Sequence, residues 1–293
     1  MKKQLLKYTI LMGATLCGAT ANQPEHPALT VIVEGEIAAG KTEIVKALVT
    51  KINALNGAGL CSYKAVAVFE PVKKWENIGI LKKFYANPVQ YGYSFQTYVY
   101  VTQIQAIQEV YQGVNPSELA KTVFILERSP ISDEIFMELQ RGIVTDTEMD
   151  MYDSWRRTFE KLIPLDLSRA HVYYLKPSLD TCMQRLKNRN RDGEIVEAAI
   201  AAELNTIETV VVKKASGVSK EYQERLRRAH EALLQGLHGD EFPVLVARVP
   251  PYPRESVVVV PESMAELNFR DPGPEQDKII NSILEGLQLL KAH

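Results

Sequence analysis

The residues best placed to do chemistry begin at Gly35, where Gly35-Glu36-Ile37-Ala38-Ala39-Gly40-Lys41-Thr42 spells G-x-x-x-x-G-K-T. Glycines let such a loop turn its backbone N–H groups onto phosphate oxygens, and a helix opening behind it favours the anion through its dipole. In this motif the lysine reaches the β- and γ-phosphates and the threonine hydroxyl binds magnesium. GTPases, motor ATPases and small-molecule kinases all share the loop, so the acceptor side has to decide between them. Glu70, in Glu70-Pro71-Val72-Lys73-Lys74-Trp75, offers a carboxylate that can take the proton of a hydroxyl nucleophile. Glu127, in Glu127-Arg128-Ser129, can hold magnesium, and Arg128 can face the acceptor. Arg185, Arg189 and Arg191 supply three guanidiniums that can neutralise charge developing on a transferred phosphoryl group. The plainer alternatives are a capping or solvated glutamate at Glu70 and a solvated basic helix end at the arginines.

These residues need elements to hold them. Leu29 to Val33 is a short apolar, β-branched run and reads as a buried strand ending at the phosphate loop. Lys41 to Leu55 carries Ile44, Val45, Leu48, Ile52 and Leu55 on a helical period. Ala65 to Phe69, Thr122 to Leu126, His171 to Leu175 and Pro243 to Ala247 read as four further strands, and Phe95 to Gln112 as a helix without breakers. Strands alternating with helices predict an α/β fold: a parallel five-stranded sheet of the P-loop NTPase type, helices on both faces, and an arginine-rich lid. Right-handed crossovers then put ligands at the C-terminal ends of the strands, where Gly35, Glu70 and Glu127 fall. Pro250 to Pro274 is proline-rich and reads as a long loop or insertion with room for one extra strand at Ser256 to Val260. Asp277 to Lys291 reads as a closing amphipathic helix.

Taken in order, Glu70-Pro71-Val72-x-x-Trp75, Phe95-Gln96-Thr97-Tyr98, Glu127-Arg128-Ser129 and the spacing from Arg185 to Glu194 resemble the deoxynucleoside kinases. That family includes deoxycytidine, deoxyguanosine and mitochondrial thymidine kinases with insect and viral relatives. The resemblance spans about Val31 to Glu194 and implies transfer of the γ-phosphate of ATP, with magnesium, to the 5′-hydroxyl of a deoxynucleoside. It implies Glu70 as the base, Trp75 as a wall of the base pocket, and Tyr85 with Glu194 on the sugar 3′-hydroxyl. Gln96 would pair with the base, Phe95, Val99 and Gln103 would lie in the same region, and Arg128 would hold the 5′-end. Lys41 and the loop from Gly35 to Thr42 would take the phosphates under a lid of Arg185, Arg189 and Arg191, with Thr42 and Glu127 toward the metal. A homodimer is implied as well.

The chain departs from the family pattern in informative places. Glu36 replaces the usual asparagine, a change expected to be tolerated because the loop works through its backbone. Met137 stands where a phenylalanine usually packs over the base, with Phe136 one residue earlier; either the helix register shifts or Met137 forms a softer wall. Asp133 matches the deoxycytidine and deoxyguanosine types, yet the arginine that usually pairs with it is replaced by Gln103, and Val99 is bulkier than the usual alanine. A deoxycytidine or purine substrate is favoured, with a broad range left open. Two rivals stand beside this reading: a thymidylate-like nucleoside monophosphate kinase, and a non-catalytic relative serving as a structural subunit.

The gross numbers are compatible with all three. The chain has 293 residues with 46% hydrophobic and 24% charged content, an ordinary globular composition. A formal net charge of -2 gives no electrostatic footprint for a nucleic-acid polymer. Three scattered cysteines (Cys17, Cys61, Cys182) form neither a disulfide framework nor a zinc pattern, and the five histidines form no ligand set. Lys2, Lys3 and Lys7 precede an uncharged run ending in Ala19-Thr20-Ala21, so residues 1–27 form an extension that reads equally as a signal peptide, an organelle presequence or a disordered tail. Residues 28–293 read as one domain, cytoplasmic or mitochondrial, and the N-terminal run is too short for a confident membrane span. Tyr152, Trp155 and Phe159 lie on a helical stripe that reads as core, and Lys213-Lys214 and Arg225-Arg227-Arg228 read as solvated faces.

Overall fold

In the computed structural model, which describes residues 28–189, 218–249, 256–260, 274–287 and 289, five parallel strands form one sheet in the order β2-β3-β1-β4-β5. They are β1 (Leu29–Gly35), β2 (Lys64–Val68), β3 (Thr122–Glu127), β4 (His171–Leu175) and β5 (Val257–Val260). The helices are α1 (Lys41–Gly57), α2 (Val72–Asn77), α3 (Ile80–Ala86), α4 (Pro88–Gly113), α5 (Pro130–Glu138), α6 (Asp146–Phe159), α7 (Leu179–Arg189), α8 (Lys220–Gln235), α9 (Pro243–Arg248) and α10 (Pro274–Gly286).

The central strand β1 is paired on both sides, so Val31, Ile32 and Val33 are fully buried, as an unbroken β-branched run requires. One face of the sheet packs Val31, Val33 and Ile125 against Ile44 and Leu48 of α1 and Ile283 and Leu284 of α10. The other packs Ile32, Phe124, Leu126 and Tyr174 against Ile107 of α4 and Leu234 of α8. The parallel sheet with helices on both faces is thus as predicted. The fifth strand is not where the sequence placed it. Pro243 to Ala247 begins a helix, with Pro243 at its first turn, where the missing N–H costs nothing. The strand is the Val257–Val260 run, which pairs with β4 at the sheet edge. Both segments are short and apolar, so periodicity could not separate them; the leading proline could have.

Cys61 and Cys182 are buried free thiols, and Tyr152 is buried as its helical stripe predicted. Trp155 is not core: it is 46% exposed and stacks on Phe159. Among the described residues no helix is long and apolar enough to cross a membrane. The N-terminal extension, Lys213-Lys214, Arg191, Glu194 and most of the proline-rich stretch lie outside the described residues.

Candidate active site

Crossover topology brings the C-terminal ends of β1, β2 and β3 together, and each end carries one part of the site. Gly35 closes β1 at φ +150, where an added Cβ would sit 2.5 Å from the Leu175 carbonyl oxygen, so only glycine fits. Gly40, at φ 103, starts α1, and Lys41 and Thr42 open that helix. Lys41 Nζ donates to the carbonyls of Gly35 and Glu36 at 3.1 and 2.8 Å. Burial, followed by the Arg128 guanidinium, pushes its pKa down to about 8, against the pull of Glu70, Glu127 and Glu34.

At the end of β3 the Thr42 hydroxyl donates to Glu127 Oε1 at 2.6 Å. Burial and the neighbouring Glu70 raise the Glu127 pKa, which a bound cation would reverse. A hydroxyl beside an acid suits magnesium held partly by phosphate oxygens and water. Thr42 and Glu127 would supply two oxygen donors to such an ion.

Arg128 sits in the left-handed region at φ 63, unusual for a side-chain-bearing residue and a mark of local strain. The next residue, Ser129, caps α5 in a capping box with Ser132 and hydrogen-bonds the buried Glu34 carboxylate through both its N–H and its hydroxyl. The turn is therefore fixed from both sides, and it drives the Arg128 side chain inward until the residue is only 2% exposed. Its guanidinium lies 3.1 Å from Glu70 Oε1, 3.8 Å from Glu34 Oε2, and 4.7 Å over the Phe136 ring. Glu34, Glu70 and Glu127 thus share one charge cluster with Lys41 and Arg128, with Glu70 at its half-buried edge. Burial raises the Glu34 pKa, and Arg128 opposes that shift.

Beyond Glu70 lies a cleft of about 720 Å³ including its open mouth. Trp75, Leu81, Phe84, Phe95 and Val99 form its apolar side, and Phe136 and Tyr222 also line it. Phe95 stacks on Phe84 at 4.6 Å and meets the Trp75 ring edge-on at 5.7 Å. The Trp75 indole N–H is satisfied by the Thr102 hydroxyl at 2.9 Å, so the ring faces the cleft without an unmet donor. Gln96, Tyr85, Asp133 and Arg189 also line it, and Lys41, Glu127 and Arg128 join it to the phosphate loop. Asp133 Oδ2 is buried with no hydrogen-bond partner, and burial, followed by the Glu70 charge, raises its pKa well above the carboxylate range.

Two expectations need correction. Met137 does not line the cleft: it is fully buried against Tyr100, Ile104 and Val144, and Phe136 takes the wall position. The α5 register, set by the Ser129 cap, turns Phe136 rather than Met137 toward the cleft. Gln103 does not line it either; its amide N–H points to the Glu127 carbonyl at 3.5 Å. Arg185, expected in the lid over the phosphates, reaches the phosphate loop, where it donates to the Ala39 carbonyl at 2.9 Å. Residues missed from the sequence include Glu34, Leu81, Phe84 and Tyr222; Phe136 is reached only as the register-shift alternative to Met137. Phe84 and Leu81 could have been found from their spacing beside Tyr85. Tyr222 could not, because its helix comes from far along the chain.

The sequence profile of the deoxynucleoside kinases matches residues 31–205. A fowlpox virus protein named as a probable deoxycytidine kinase is 30% identical over 56% of this chain, which spans 63% of that relative. Human deoxycytidine kinase is 26% identical over 70% of this chain and 74% of its own length. Mitochondrial thymidine kinase 2 of Macaca fascicularis is 27% identical over 73% and 66%.

Proposed function

Because the chain belongs to the deoxynucleoside kinase family, we propose that it transfers the γ-phosphate of ATP to the 5′-hydroxyl of a deoxynucleoside, in nucleoside salvage. The observation that carries this reading is the Glu70–Arg128 pair, which stands between the phosphate loop and an aromatic cleft. The nucleoside base enters the slot between Phe95 and Phe136, with Gln96 offering a donor and an acceptor to its edge. The 5′-hydroxyl lies at Glu70, which accepts its proton as the oxygen attacks phosphorus, and Arg128 holds the carboxylate in place and faces the incoming charge. Lys41 releases the loop carbonyls to take the β- and γ-phosphate oxygens. Arg189 closes from the lid side while Arg185 braces the loop. Magnesium, when bound, is held by Thr42 and Glu127 and neutralises phosphate charge. Tyr85 is placed to reach the sugar.

Deoxycytidine or a purine deoxynucleoside is the favoured acceptor, and a broad range fits too. Asp133 has an unmet oxygen in the cleft, and Gln103 is turned away, so the substrate must supply the partner. A base carrying an exocyclic amine does that. On the same reading the protein is a homodimer acting in the cytoplasm or mitochondrion.

The test is incubation with γ-labelled ATP, magnesium and each of the four deoxynucleosides, beside Glu70→Gln. Label in a deoxynucleoside monophosphate, lost in the variant, is the expected result. Transfer only to a nucleoside monophosphate would install a thymidylate-like activity, and ATP binding without any transfer would mean a non-catalytic role.

A further inference from the structure

Glu36 was expected to matter only through its backbone, yet its side chain is fully buried. Glu36 Oε1 accepts from the Tyr174 hydroxyl at 2.7 Å and from Arg227 Nε at 2.8 Å. Arg227, expected on a solvated face, also donates to the Pro177 carbonyl through its other guanidinium nitrogen. One turn earlier on α8, Gln223 grips both backbone groups of the next loop residue: its amide N–H donates to the Ile37 carbonyl at 2.8 Å, and its amide oxygen accepts from the Ile37 N–H at 3.2 Å. His230, three residues beyond Arg227, stacks on Tyr174 and lies 3.9 Å from Glu34. Positions 223, 227 and 230 share one helical face, so α8 presents a continuous polar edge to the end of β1 and the loop.

We infer that Glu36, Arg227 and Gln223 form a clamp that positions the phosphate loop for the donor nucleotide; this rests on the ATP-binding role proposed for that loop. The Glu36 carbonyl is also one of the two that hold Lys41, so the clamped residue sets where the lysine waits. A fully buried carboxylate is costly unless paired, and a buried ion pair gives little net stability. Its retention is better explained by the geometry it imposes on Glu36 and Ile37. An asparagine at position 36, usual for the resembled family, could not make this ion pair, so the acid and Arg227 are a matched set. Arg227 and Gln223 touch no reacting atom and act as positioning residues.

The test combines calorimetric ATP affinity with steady-state kinetics for Glu36→Gln, Arg227→Gln, the double variant and Arg227→Lys. Each single change should weaken ATP binding about tenfold and raise the KM for ATP, while the KM for the deoxynucleoside moves less than about twofold. The double variant should be no worse than either single, because one pair is being removed. Arg227→Lys keeps the charge and should recover about a third of the lost affinity; it also serves if Glu36→Gln does not fold. Unchanged ATP affinity in the singles, additive losses in the double, or a parallel rise in the nucleoside KM would overturn the clamp. Wild-type protein that fails to bind ATP would instead overturn the functional reading beneath it.

Discussion

At the residue scale the site is a crowded set of charges held out of water, and its consequences follow from protonation. Lys41 has a folded pKa of about 8, below its ordinary 10.5. The unfolded chain therefore binds more protons between those values, so this group's destabilising contribution is fully present below pH 8 and fades as pH rises above it. Phosphate binding needs the ammonium form. ATP affinity should thus be flat below pH 8 and fall by up to about tenfold per pH unit above it, measured by calorimetry between pH 7 and 9.5. A flat profile across that range would mean that Lys41 does not carry the contact. Glu70→Gln should lower kcat by about a hundredfold or more with a much smaller change in ATP affinity, since only the proton acceptor is lost. Asp133→Ala should change the ranking of the four deoxynucleosides more than it changes kcat on the best of them; an unaltered ranking would remove Asp133 from base recognition.

At the element scale, α5 decides which neighbour becomes wall and which becomes core. The Ser129 cap fixes its start, and one helical position, about 100° of rotation, separates Phe136 in the cleft from Met137 in the core. Phe136→Ala should raise the nucleoside KM with little effect on the melting temperature. Met137→Ala should do the reverse, costing about 2–5 kcal/mol of stability with KM nearly unchanged. Thermal melts and kinetics on the two variants side by side test this register. If Met137→Ala raised KM and left stability intact, Met137 rather than Phe136 would be the residue facing the substrate.

At the scale of the whole molecule, the segment that matches the family profile ends at residue 205, but the packing does not. Ile279, Ile280, Ile283 and Leu284 of α10 are buried in the same core as β1, α1 and Ala39 of the phosphate loop, and β5 covers the flank of β4. Removing residues 274–293 should unfold the protein rather than yield a shorter active form, which circular dichroism would show as loss of cooperative melting. Saturating ATP should raise the melting temperature, because a ligand at about 100 times its Kd adds about 2.7 kcal/mol to the folded state.

Several features could be read from the chain alone because they are local. The G-x-x-x-x-G-K-T spacing fixes a loop whose backbone must face phosphate, whatever packs around it. The apolar runs of β1 and β3 fix buried parallel strands, and Glu70 and Glu127 fall at strand ends by counting alone. What spacing could not decide depends on contacts between distant segments. The Val257–Val260 run became the fifth strand because an open edge of β4 was there to pair with it. Phe136 displaced Met137 because a cap set the helix rotation. Glu36 acquired a side-chain role because α8, far along the chain, brings Arg227 within 2.8 Å of its carboxylate. A buried charge has meaning only with its partner, and that partner is chosen by the tertiary fold.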